Sequence, residues 1–126
     1  MQKQGKKKLL AVLDDLFFTV KIADAAKRAG LEIDFVKSEK DALAKAGDDP
    51  LLIILDLNAT SFEPLKLISK LKSDERLKQI SLLGFVSHVQ GELKQKAHDS
   101  GCNMVMARSA FSLNLPQILK RHAAVA

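Results

Sequence analysis

Four short stretches of this 126-residue sequence end an apolar run in residues that can do chemistry. They are Val12-Leu13-Asp14-Asp15, Leu55-Asp56-Leu57-Asn58, Val86-Ser87-His88 and Ala107-Arg108-Ser109. Three carboxylates brought to one place repel one another and raise one another's pKa values unless a cation sits among them. Their hard oxygens suit Mg²⁺, which takes one or two carboxylates, a carbonyl and waters. A metal held that way leaves one carboxylate free to attack phosphorus. A hydroxyl such as that of Ser87 and a guanidinium such as that of Arg108 can then bind the oxygens of a phosphoryl group in transfer.

Such residues act together only if the chain brings them to one rim, so the elements around them matter. Leu9–Leu13 is a continuous apolar run ending in acids, the pattern of a fully buried strand. Residues 17–29 switch to helical spacing, with Phe18, Ile22, Ala25, Ala26 and Ala29 on one side and Gly30 as the stop. Leu31 to Val36 reads as a second strand. Ser38 and Asp41 resemble a capping box for a helix through Ala46, closed by Gly47. Leu51–Leu57 is the most buried-looking strand. An irregular stretch, Asn58 to Glu63, leads into a helix carrying Leu65, Ile68 and Leu71 on one face. A fourth strand runs from Ile80 to Val86 with Gly84 inside it, and a polar helix spans 89–100 with Val89, Leu93 and Ala97 inward. Met104–Ala107 is a short fifth strand. Asn114 and Pro116 open a last helix with Leu115, Ile118 and Leu119. Strands of this kind alternating with helices imply a parallel sheet covered on both faces. In such sheets ligands bind beyond the carboxyl ends of the strands, where all four stretches end.

Composition narrows the class. The chain is 47% hydrophobic and 28% charged, a globular balance that argues against disorder. No apolar run reaches the roughly 20 residues that span a bilayer, and no apolar segment follows the basic start as a signal peptide requires. One cysteine, Cys102, excludes a disulfide framework and a cysteine zinc site, and fits a reducing, cytoplasmic setting. The net charge of +5 is concentrated at the start, in Lys3, Lys6, Lys7 and Lys8. Removing those four from the 20 basic residues leaves 16 against 15 acids, a net of +1. We therefore read residues 1–7 as a basic flexible leader and 8–126 as one domain. With Phe as the sole aromatic there is little to stack on bases, which argues against nucleic acid as a partner.

In order and approximate spacing, the four stretches resemble the receiver domain of two-component response regulators, over roughly residues 8–122. Some features, Asp-Asp-Leu-Phe-Phe, Ser-His-Val and Arg-Ser-x-Phe, are similar to those of a divergent subgroup. The resemblance implies a flavodoxin-like (CheY-like) α/β fold: a doubly wound five-stranded parallel sheet, order 2-1-3-4-5, with five helices. It implies a stand-alone response regulator in phosphorelay signalling rather than an enzyme. Asp56 would be the phosphoacceptor. Asp14, Asp15, Asp56 and the backbone carbonyl of Asn58 would hold Mg²⁺, with Asp15 the direct ligand of the acidic pair and Asp14 acting largely through water. Ser87 and Arg108 would contact the phosphoryl group. The implied partners are a histidine kinase or phosphotransfer protein and a downstream protein target, the latter on the face of the fourth helix, fifth strand and fifth helix.

The sequence also departs from the family's pattern. Arg108 stands where the family usually has Lys, and its planar fork is no substitute for a point charge. It can reach a phosphoryl oxygen, or pair with Asp56 and hold the site itself. Val105 and Ser109 replace an aromatic residue and a proline, so the aromatic switch of the family is missing. Asn58 to Pro64 lacks the usual Pro and Gly, and Leu16-Phe17-Phe18 makes a bulky start to the first helix. These departures favour a second reading, a phosphorylation-independent pseudo-receiver that acts as an interaction module. A nucleotide- or flavin-binding enzyme lacks its glycine-rich loop after the first strand. A Ser87–His88 hydrolase lacks a nucleophile elbow. Plainer roles stand beside the chemical ones: Ser87 as a helix cap, Arg108 as a structural counter-charge, Phe18 in the core and Phe17 at the pocket mouth or on a partner surface.

Overall fold

A computed structural model of the chain describes residues 7–87 and 91–125. Its elements alternate strictly: β1 (Lys8–Val12), α1 (Leu16–Arg28), β2 (Glu32–Val36), α2 (Glu39–Ala46), β3 (Leu52–Asp56), α3 (Pro64–Ser73), β4 (Ser81–Val86), α4 (Gly91–Ser100), β5 (Met104–Ala107) and α5 (Arg108–Val125). The five strands form one parallel sheet in the order β2-β1-β3-β4-β5. That is the topology the resemblance implies, with β3 in the middle and Asp56 as its last residue.

Strand alternation divides the core in two. Leu10, Val12, Ile53, Leu55, Leu82 and Val86 face α2, α3 and α4, where they meet Ala42, Ala46, Leu67, Ile68, Leu71 and Ala97. Leu9, Ala11, Leu52, Ile54, Leu83 and Phe85 face α1 and α5, where they meet Phe18, Ile22, Ala26, Phe111, Leu115 and Leu119. Both faces of β1 and β3 are thus covered, which is why those strands read as unbroken apolar runs rather than alternating ones. Asp56 continues the series Leu52, Ile54, so the period of two turns its carboxylate toward the α1 and α5 side.

Local signals set the ends of the elements. Asp15 caps α1 by accepting from the Phe18 N–H, and Gly30 takes φ of 75° just past its end. Ser38 Oγ accepts from the Asp41 N–H at 3.1 Å, the bond that opens α2. Gly84 of β4 leaves room for Leu57: a Cβ there would lie 2.8 Å from a Leu57 methyl. Lys8 opens β1 and pairs with Asp34 of β2 at 3.3 Å, while the Lys7 carbonyl accepts from the Glu32 N–H at 3.0 Å.

One expectation fails. Asn114 and Pro116 do not open the last helix, which begins six positions before Asn114, at Arg108, directly where β5 ends. Phe111, Leu115, Ile118 and Leu119 form one buried stripe, and packing that stripe on the sheet overrides the local start signal. Asn114 sits inside the helix and its Nδ2 donates to the Ala110 carbonyl at 2.8 Å. Pro116 is likewise internal. The expected helix at 89–100 is seen from Gly91; His88 and Val89 lie outside the described residues. No described helix is long and apolar enough to cross a membrane.

Candidate functional site

At the carboxyl end of the sheet the chain brings Asp56, Asp15 and Arg108 into contact. Asp56 is 4% exposed and is the one buried charged residue among those described. Its Oδ1 accepts from the Asn58 N–H at 2.9 Å, an Asx turn that shapes the loop after β3. Its Oδ2 lies 3.7 Å from Arg108 Nη2. Burial pushes the Asp56 pKa up from the ordinary carboxylate value. The Asn58 N–H and the Arg108 guanidinium pull it back, while Asp15 and Asp14 add to the upward push.

Asp15 is used twice. As the cap of α1 its Oδ1 accepts from the Phe18 N–H at 3.1 Å, and its Oδ2 accepts from Arg108 Nη1 at 3.2 Å. Arg108 is the first residue of α5, so its guanidinium reaches back over the end of the sheet and touches both acids. Two aromatic rings hold it there. Its Cζ sits 4.8 Å from the Phe18 ring centre and 5.6 Å from that of Phe85, within cation–π range. Phe18 stacks on Phe85 at 5.1 Å, and Phe85 on Phe111 at 4.7 Å, so the platform is continuous with the core. Arg108 Nε is buried with no hydrogen-bond partner among the described residues, so contacts from the two terminal nitrogens and the rings must secure the group.

The remaining expected residues lie around this pair of contacts. Asn58 Oδ1 accepts from the Ser87 N–H at 2.6 Å, tying the loop after β3 to the end of β4. Ser87 itself is exposed. Asp14 is exposed and joins none of these contacts, although its charge is felt at Asp56. Phe17 is 67% exposed on α1 beside Leu16 and Val20, so it does not plug the pocket. Cys102 packs inside the sheet edge, while Met104 is 39% exposed.

No family model and no curated protein matches this sequence. Solved structures do. The phosphorylated cyanobacterial phytochrome response regulator RcpA superposes with a TM-score of 0.77 at 24% identity, covering 93% of this chain and 91% of its own. The chemotaxis response regulator CheY4 of Vibrio cholerae gives 0.80 at 22% identity, covering 94% and 99%. The fold is that of a response-regulator receiver domain. The receiver domain of a Pseudomonas aeruginosa sensor histidine kinase, with a magnesium ion in its active-site cleft, gives 0.80 at 16% identity, covering 95% and 99%. At these identities the likeness is one of fold.

On this receiver fold the donor chemistry of the acids suits a hard cation, but their arrangement does not. All four side-chain oxygens of Asp15 and Asp56 already face a donor: two backbone N–H groups and the two terminal nitrogens of Arg108. No group of three or more metal-binding side chains comes together among the described residues. A positive guanidinium against both acids opposes a second cation. The residues that sequence reasoning missed are Phe18 and Phe85 as the guanidinium's platform. Their helical and strand spacing marks them as core and carries no sign of the cation that sits on them.

Proposed function

We propose that this chain is a receiver-fold interaction module that signals through protein contacts without needing phosphorylation. The observation that carries this reading is the contact of one guanidinium, Arg108, with both Asp15 and Asp56. In that pocket the guanidinium offsets one of the two negative charges it faces and ties them together. On this reading signalling does not depend on phosphoryl transfer or Mg²⁺, which the resemblance implies. The downstream target is a protein.

A second reading is favoured by Asp56 itself: a buried carboxylate at the end of the central strand, with an ordered loop beside it. Asp56 then accepts a phosphoryl group from a histidine kinase or phosphotransfer protein. An Asp56 oxygen bonds to phosphorus as the donor's N–P bond breaks, and the imidazole leaves with the electron pair. Arg108, released from Asp56, follows the new phosphoryl oxygens, and Ser87 contacts them from the end of β4. Asp14, Asp15 and the Asn58 carbonyl are the groups this reading assigns to the metal.

Intact-mass measurement after incubation with a small acyl phosphate separates the two. The first reading expects no adduct with or without Mg²⁺. One added phosphoryl group on the wild type, missing from Asp56→Asn, overturns it and establishes the second.

A further inference from the structure

The receiver fold leads one to expect a divalent cation among the acids, and the side chains disagree. We infer that Arg108 is a built-in counter-ion: its guanidinium takes the place of a metal at Asp15 and Asp56 and keeps divalent cations out. This deepens the interaction-module reading and rests on it, since it names what holds that pocket in one state.

Three features carry the inference. The first is reach. Nη1 lies 3.2 Å from Asp15 and Nη2 3.7 Å from Asp56, so the planar fork spans two carboxylates that belong to different elements. A Lys ammonium, a single point charge, lacks that fork. The second is confinement. The rings of Phe18 and Phe85 lie under the guanidinium, and its Nε is buried. The third is valence. Each carboxylate has one oxygen on a backbone N–H and the other facing Arg108. A divalent ion would have to displace the guanidinium or share its oxygens at close range with like charge, a repulsion that solvent screening reduces but does not remove.

The test is Mn²⁺ binding to the full chain, read by paramagnetic broadening of amide signals around Asp56, together with thermal unfolding with and without metal. The wild type should show no site-specific broadening at millimolar Mn²⁺ and no metal-dependent shift in unfolding temperature. Arg108→Ala should unfold at lower temperature in chelator, bind Mn²⁺ at least about tenfold more tightly than the wild type, and recover stability when metal is added. Arg108→Gln keeps the stem over the rings and serves if the alanine variant does not fold. Adding Asp15→Asn to either variant should abolish the gained binding. Tight Mn²⁺ binding by the wild type at these acids, or a folded Arg108 variant with no gain, overturns the inference. The outcome is independent of the acyl-phosphate result: a wild type that binds Mn²⁺ but takes no phosphoryl group leaves the interaction-module reading standing and removes the counter-ion.

Discussion

Arg108 donates to Asp15 across 3.2 Å, joining two residues 93 positions apart in the chain. The contact ties the first residue of α5 to the cap of α1, and the same guanidinium reaches Asp56 at the end of β3. A cation at a helix N-terminus meets the positive end of the helix dipole. Helix α5 alone therefore disfavours Arg108 at its start, and the two acids and two rings supply what holds it there.

A double-mutant cycle on that pair measures the tie. Asp15→Asn is the right partner because Asn also caps helices, so α1 keeps its N-terminal bond while the charge goes. Arg108→Gln removes the other charge. Both side chains are about a quarter to a third exposed, at 26% and 31%, so solvent screens the pair. The coupling energy should be about 1 kcal/mol, read from urea unfolding. Strict additivity of the two variants would show that the contact contributes nothing to folding.

Asp56 makes a separate prediction with a definite sign. Its pKa is raised above the unfolded value of 3.8, chiefly by burial. The folded state therefore holds the proton more tightly than the unfolded state. That contribution to stability is fully present below the unfolded pKa and is lost as pH rises through the folded pKa. At neutral pH the ionised Asp56 costs stability, and Asp56→Asn, which keeps an oxygen for the Asn58 N–H, should unfold at a higher temperature than the wild type. The advantage should shrink as pH falls toward the unfolded carboxylate value. A variant less stable than the wild type at neutral pH would mean that the Arg108 contact outweighs the cost of burial.

Much of this arrangement can be read from residue types. Apolar runs at Leu9–Leu13 and Leu51–Leu57 mark strands buried on both sides, and the acids that end them mark the rim. The Ser38 cap and the Gly30 stop are local chemistry, so they are legible locally. The contacts that join distant segments are not. Nothing in the spacing of Asp15, Asp56 and Arg108 tells which acid the guanidinium meets, because that depends on how α1 and α5 pack on the sheet. The start of α5 is hidden for the same reason: Asn114 and Pro116 look like an opening, yet Phe111 is buried against Phe85 and carries the helix back to Arg108.

Gly84 links the core to the site through Leu57. A Cβ at this position would meet three Leu57 side-chain carbons at 2.8 to 3.0 Å, and Leu57 directly follows Asp56. Gly84→Ala should therefore overpack the layer between β3 and β4 and cost about 1–3 kcal/mol. Amide shifts should spread to Asp56 and Asn58, since Leu57 cannot yield without moving its neighbours. Unchanged stability would mean that Leu57 finds a second rotamer, and the acids would then keep their positions.

Pro116 offers the last prediction, because it breaks a rule inside α5. It lies in the helix interior, where it has no N–H to give the Ser112 carbonyl, four residues back. It is also exposed, so replacing it removes no buried packing. Pro116→Ala restores the donor and relieves the ring's clash with the preceding turn. Against this, proline stiffens the unfolded chain, a benefit of about 0.4–1 kcal/mol that the variant gives up. The helix-interior penalty of about 3 kcal/mol is the larger effect, so the variant should gain about 2–2.6 kcal/mol in urea unfolding. A loss instead would mean that α5 already bends to accommodate the ring. Straightening it would then shift Leu119 on the sheet while leaving Arg108, about two turns before Pro116, anchored by its acids.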